Sequence, residues 1–87
     1  MAFEFDPAKS IANKQKHGVD FEEAQALWTD PWLLEVSIDT EGEPRFLSIG
    51  LISGKHWAAV WTYRSGRVRI ISVRRARKEE VGHYEGN

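Results

Sequence analysis

The chain has 87 residues, 12 Lys and Arg against 13 Asp and Glu, and no cysteine. Its length calls for a single domain over residues 1–87, with a modest core resting on four Trp and four Phe. Disulfides and thiolate metal sites are excluded, and a cytoplasmic protein is the economical expectation. The formal net charge of −1 conceals a polarity. Residues 1–44 hold ten acids against three bases, whereas residues 45–87 hold nine bases against three acids. Such segregation hints at nucleic-acid or membrane contact. No stretch reads as a membrane span, and residues 1–9 lack the apolar core with basic flanks of a secretory signal, so the membrane is set aside.

Residues 2–5 read as a short edge strand, ended by Asp6 as a helix cap and Pro7 in the first helical turn. That helix runs to about Lys16 and stops at Gly18, with Lys14, Lys16 and His17 at its negative end. Asp20 starts a second helix, with Glu23 as its capping-box partner, and Asp30 and Pro31 close it. Four strands follow, over residues 32–39, 45–52, 55–64 and 67–74. Short linkers, including the pairs Ser53-Gly54 and Ser65-Gly66, join them as antiparallel hairpins in a four-stranded meander. Residues 76–84 form a last helix, weakened by Gly82. The class is α+β, with two helices on one sheet face and the other face at least partly open.

Residues 64–78 carry seven positive charges and no acid, interleaved with Val68, Ile70, Ile71 and Val73. Cations on a strand fixed by apolar neighbours are rigid enough to aim at a ligand, and the arginine fork meets phosphate oxygens two at a time. Strict alternation puts Arg67 and Arg69 on one face and Arg74 on the other, unless the strand ends or bulges near Val73.

The stretch Phe3-Glu4-Phe5-Asp6-Pro7, then Lys9, Asn13, Lys16-His17-Gly18-Val19, Phe21 and Glu23-Ala24, resembles the opening of the BrnT toxins. Arg45-Phe46, Ile49-Gly50, Thr62, Arg64, Arg69-Ile70-Ile71-Ser72 and Arg74-Arg75-Ala76 resemble that family's second half. The resemblance implies a ribonuclease toxin of a type II toxin-antitoxin operon with a RelE-like fold. It also implies neutralisation by a BrnA-type antitoxin, which supplies the DNA binding when the complex represses its own promoter. Two positions depart from the family pattern: Phe5 stands where many members have Trp, and Tyr63 where many have Glu, which removes a carboxylate base.

Metal-free RNA cleavage needs a proton acceptor for the 2′-hydroxyl, a donor for the leaving 5′-oxygen, and cations on the phosphate between them. His17 and Tyr63 are the candidates for proton transfer, and Arg64, Arg69 and Arg74 for charge stabilisation. Lys14, Lys16, Arg67, Arg75 and Arg77 are the further RNA-binding candidates. Each has a plain alternative: His17 as a helix cap, the arginines as a solvated or helix-paired edge, and His56 and His83 as solvated side chains. Trp57, Trp61 and Tyr63 alternate as an aromatic stripe that either stacks bases or packs the core. Trp28 and Trp32 are expected to help bury the second helix. No glycine-rich phosphate loop, paired metal-spaced histidines or serine elbow is present, so neither cofactor nor metal is expected. The competing function is a non-catalytic module or corepressor that binds nucleic acid or an antitoxin through the same basic surface.

Overall fold

Asp6 caps the first helix, α1 (Pro7–His17), by accepting a hydrogen bond from the Ala8 N–H at 2.9 Å. The helix ends where Gly18 turns to φ 90° and its N–H reaches the Lys14 carbonyl. The computed structural model of the chain describes residues 1–38 and 41–86. Before α1 comes β1 (Phe3–Glu4); after it, a 3-10 helix (Glu23–Thr29) stands where an α-helix was expected. The expected capping box is formed all the same. Asp20 Oδ1 accepts from the Glu23 N–H at 2.7 Å, and Glu23 Oε1 accepts from the Asp20 N–H at 3.0 Å. Pro31 fixes the exit, and nothing in the local sequence accounts for the tighter winding over seven residues.

Four strands then form: β2 (Leu34–Ile38), β3 (Arg45–Ile52), β4 (Lys55–Arg64) and β5 (Arg67–Arg75). β2 begins two residues later than its apolar pattern suggested. Asp30 holds the chain in a turn there, its Oδ1 accepting from Trp32 N–H and its carbonyl from Leu33 N–H. The expected strand end at Asp39 and the linker start at Thr40 lie outside the described residues. Both two-residue hairpins have positive φ at both positions, Ser53 50° with Gly54 78° and Ser65 53° with Gly66 76°. That is the primed turn whose twist matches the flanking strands. The last helix, α2 (Lys78–Glu85), follows.

The sheet is five-stranded and mixed, in the order β1-β5-β4-β3-β2. β1 runs parallel to β5, so the N-terminal strand joins the meander at its outer edge. One face, called inner here, buries Trp57, Ala59 and Trp61 of β4 with Val68, Ile70 and Val73 of β5. Phe21, Ala24 and Leu27 cover them. Phe46 stacks on Trp61 at 4.7 Å, and Trp61 Nε1 donates to the buried Ser48 hydroxyl. Gly50 is required here, since a Cβ would stand 2.9 Å from Leu33 Cδ1.

α1 docks by polar groups rather than an apolar stripe. Its two buried residues are Ser10 and Asn13. Ser10 Oγ accepts from the Phe21 N–H, Asn13 Nδ2 donates to the Val19 carbonyl at 2.7 Å, and Asn13 Oδ1 accepts from the Val73 N–H at 3.2 Å. The last bond satisfies the edge of β5 beyond the end of β1. α2 lies on the outer face, held by Glu80 on Arg74, by Glu85 on His56, and by Tyr84, whose hydroxyl donates to Asp30. Trp28 meets Trp61 and Phe3 edge-on, as expected of a core residue. Trp32 does not help bury the preceding helix: it is 77% exposed, because the Asp30 turn swings it out.

Candidate nucleic-acid interface

The alternation of β5 is broken midway along the strand. Val60 pairs with Ser72 but Trp61 with Ile70, leaving Ile71 as an extra, bulged residue. Before the bulge, Val68 and Ile70 face the core; after it, Val73 does. Arg74 therefore returns to the outer face with Arg67 and Arg69, which corrects the split that strict alternation predicts. Arg75 takes the inner side, its guanidinium 5.4 Å from the Trp57 ring centroid and its Nε donating to the His56 carbonyl.

On the outer face the cations fall into two groups. At the end of the β4–β5 hairpin Arg64 pairs directly with Arg67, and Thr62 beside them pairs with Arg69. Like charges opposite one another oppose folding. Neither Arg64 nor Arg67 has a side-chain partner among the described residues; both are exposed. Arg69 donates to Glu4 Oε2 at 2.7 Å, which clamps β1 to β5. Arg45 extends this row: it pairs with Ile38, and the neighbouring Pro44 carbonyl accepts from the Thr62 hydroxyl. The other group is Arg74, gripped in a fork by Glu80 at 2.7 and 2.9 Å. These hydrogen bonds, outweighing burial, raise the guanidinium above its ordinary pKa and lower Glu80 below the usual carboxylate range. Arg77 precedes α2, where its N–H donates to Glu80.

Tyr63 neighbours Arg64 but points to the inner side, 56% exposed and edge-on to Trp61 and Phe46. Of the aromatic stripe, Trp57 and Trp61 are buried core residues, leaving Tyr63 alone free to stack. His17 is half-buried in the last turn of α1. That helix is tied to Val73, whereas Tyr63 pairs with Val68, some 17 Å back along β5 at strand spacing. The sheet thus does not bring His17 and Tyr63 to one point. Lys14 is bound by Glu23 at 2.8 Å, a hydrogen bond that raises the ammonium and lowers the carboxyl; Lys16 is exposed.

His56 is not solvated as the sequence suggested, because Glu85 holds its Nε2 at 2.6 Å and Tyr84 packs edge-on against its ring. Next to it, burial pulls the Asp30 carboxyl up. Hydrogen bonds from Tyr84, Trp32 N–H and Leu51 N–H, with His56 nearby, outweigh it and leave Asp30 below the usual range. Burial and the same bond push Tyr84 up to about 12. Sequence reasoning missed Glu4 and Glu80, whose pairing with Arg69 and Arg74 has no local signal. It also missed Arg45, which alternation from Phe46 would have put on the outer face. Among the described residues no cluster of three or more His, Asp or Glu has metal-site geometry, and no helix is long and apolar enough to cross a membrane.

The fold is a small α+β domain with exposed arginines at the end of the β4–β5 hairpin. The family model described as "Ribonuclease toxin, BrnT, of type II toxin-antitoxin system" matches residues 5–80. The chain belongs to that family, whose activity is that of a ribonuclease toxin with an antitoxin partner. No curated protein matches the sequence.

Proposed function

We propose that this chain is a cytoplasmic, metal-independent endoribonuclease on a RelE-like fold, inhibiting growth and translation by cutting RNA. A BrnA-type antitoxin neutralises it, and operator DNA is reached only through that complex. The observation that carries the reading is the Arg64–Arg67 pair, two like charges face to face with no partner among the described residues, in a chain of a ribonuclease toxin family. A bound phosphate converts their repulsion into two charge-assisted contacts. In this reading the 2′-hydroxyl attacks the adjacent phosphorus, its proton passes to a base, and the 5′-oxygen leaves with a proton from an acid. The products are a cyclic 2′,3′-phosphate and a free 5′-hydroxyl.

Arg64 and Arg69, with Arg67 beside them, stabilise the charge on the phosphate, and Tyr63 at the same hairpin end is the nearest proton-transfer group. Arg74 shares their face but pairs with Ala58, roughly 20 Å from Arg64 along the strand, so once Glu80 lets it go it contacts RNA beyond the reacting phosphate. His17 serves in proton transfer only if the RNA bridges to α1, and Lys14, Lys16, Arg75 and Arg77 hold the strand outside the reacting phosphate. The acids on Arg69 and Arg74 favour one alternative, a non-catalytic corepressor that keeps the antitoxin interface.

The test is purified protein on RNA with and without EDTA, alongside regulated expression. Cyclic phosphate ends unaffected by EDTA, lost in Tyr63→Phe and reduced in Arg67→Ala, support the nuclease. Strict Mg²⁺ dependence removes the metal-free mechanism. No cleavage and no growth arrest leave the corepressor.

A further inference from the structure

Between α2 and the arginine row, the outer face carries an aliphatic strip that no described residue covers. Val36, Leu47 and Val60 stand side by side across β2, β3 and β4. Below them Leu34 and Ile49 floor a hollow of about 320 Å³ whose far wall is Glu80 and His83 of α2. A second hollow of about 450 Å³ shares Leu34 and His83 and opens at Trp32. Val36 is 45% and Trp32 77% exposed, an apolar patch that folding alone leaves in water. Ile38 and Arg45, on the same face, lie two residues from Val36 and Leu47, roughly 7 Å along the strands.

We propose that this strip seats an amphipathic helix of the cognate antitoxin, its apolar side chains in the hollow and its acidic flank on Arg45, Arg67 and Arg69. The proposal rests on the toxin reading above and names where that partner docks. A helix about 10 Å across, laid over the strip, reaches α2 on one side and the arginine row on the other. Charge complementarity sets the occupant. One border of the strip is cationic, so the partner's matching edge is acidic. The strip itself is aliphatic and offers no ring for base stacking, which disfavours RNA as its occupant. A helix seated there also covers Arg67 and Arg69, so docking and neutralisation are one event.

The probe is the antitoxin encoded with this chain, titrated against purified toxin by calorimetry at two salt concentrations. Val36→Glu puts a charge under the apolar side chains of the docked helix without touching the arginines; Glu35→Gln, on the opposite face of the same strand, is the control. Circular dichroism verifies that both fold. Val36→Glu weakens antitoxin binding at least tenfold, the order expected for a buried anchor. Glu35→Gln stays within about twofold by the additivity of exposed sites. Higher salt weakens the wild-type complex, and free Val36→Glu cleaves RNA as wild type does. Folded Val36→Glu that binds the antitoxin as tightly as wild type overturns the proposal. So does wild type that does not bind it. Loss of RNA cleavage in Val36→Glu, or a wild-type dimer that this change dissolves, assigns the strip to RNA or to a second copy and overturns it too. Weakened antitoxin binding in a protein that never cleaves RNA refutes the nuclease and leaves the docking site standing.

Discussion

Asn13→Ala removes the side chain that ties α1 to the rest of the fold by two buried hydrogen bonds. The amide of Asn13 serves two buried backbone groups at once, the Val19 carbonyl at 2.7 Å and the Val73 N–H at 3.2 Å. Alanine leaves both without partners, and each buried unsatisfied group costs about 1–3 kcal/mol. Water reaching one of them trims the sum, so the loss is about 2–5 kcal/mol, a large share of the stability of a small domain. At 4–8 °C per kcal/mol for a domain of this size, the melting temperature falls by about 8–40 °C. Asn13→Asp does not restore it. A carboxylate keeps an acceptor for Val73 but turns its other oxygen on the Val19 carbonyl and buries a charge. Urea unfolding followed by tryptophan fluorescence measures the loss. A decrease below about 1 kcal/mol for Asn13→Ala, with an unchanged m-value, refutes the claim that α1 is held by hydrogen bonds rather than apolar burial.

Arg67→Ala lowers the salt-dependence slope of RNA binding by about 0.7, one phosphate contact on a single strand, and changes stability by less than about 0.5 kcal/mol; an unchanged slope removes Arg67 from the interface. Gly50→Ala forces a methyl against Leu33 at 2.9 Å, Asp30 at 3.0 Å and Leu27 at 3.2 Å, and destabilises by about 1–3 kcal/mol in chemical denaturation. Because Tyr84 is raised to about 12, its contribution is complete below its ordinary value near 10 and disappears as pH rises through about 12. Tyr84→Phe flattens that alkaline loss in melting temperatures taken against pH. Asp30 and Glu80 are both lowered, so their contributions hold above the ordinary carboxylate range and vanish as pH falls through their folded values. Glu80→Gln makes the acid limb shallower.

The helix ends, the turns and most strand bounds were legible because each is set by residues a few positions apart. Asp6 and Pro7 open α1 and Gly18 closes it, Asp20 and Glu23 bond reciprocally, and Ser-Gly pairs make the hairpins. Misreadings came where distant groups intervene. Trp32 is turned out by Asp30, a carboxylate that also answers to Leu51 and Tyr84 far along the chain.

The candidate site shows the same division. The sequence by itself determined the α+β class, the family-like motifs and the cation-rich last strand, since composition and period need no partner to be read. Which cations are available was decided only in three dimensions. The bulge at Ile71 turns Arg74 back to the face of Arg67 and Arg69, but Glu4 and Glu80 then claim Arg69 and Arg74 and leave Arg64 and Arg67 without partners among the described residues. A register shift and two ion pairs across the fold carry no local signature, because charge neutralisation depends on which strands and helices meet rather than on neighbours along the chain.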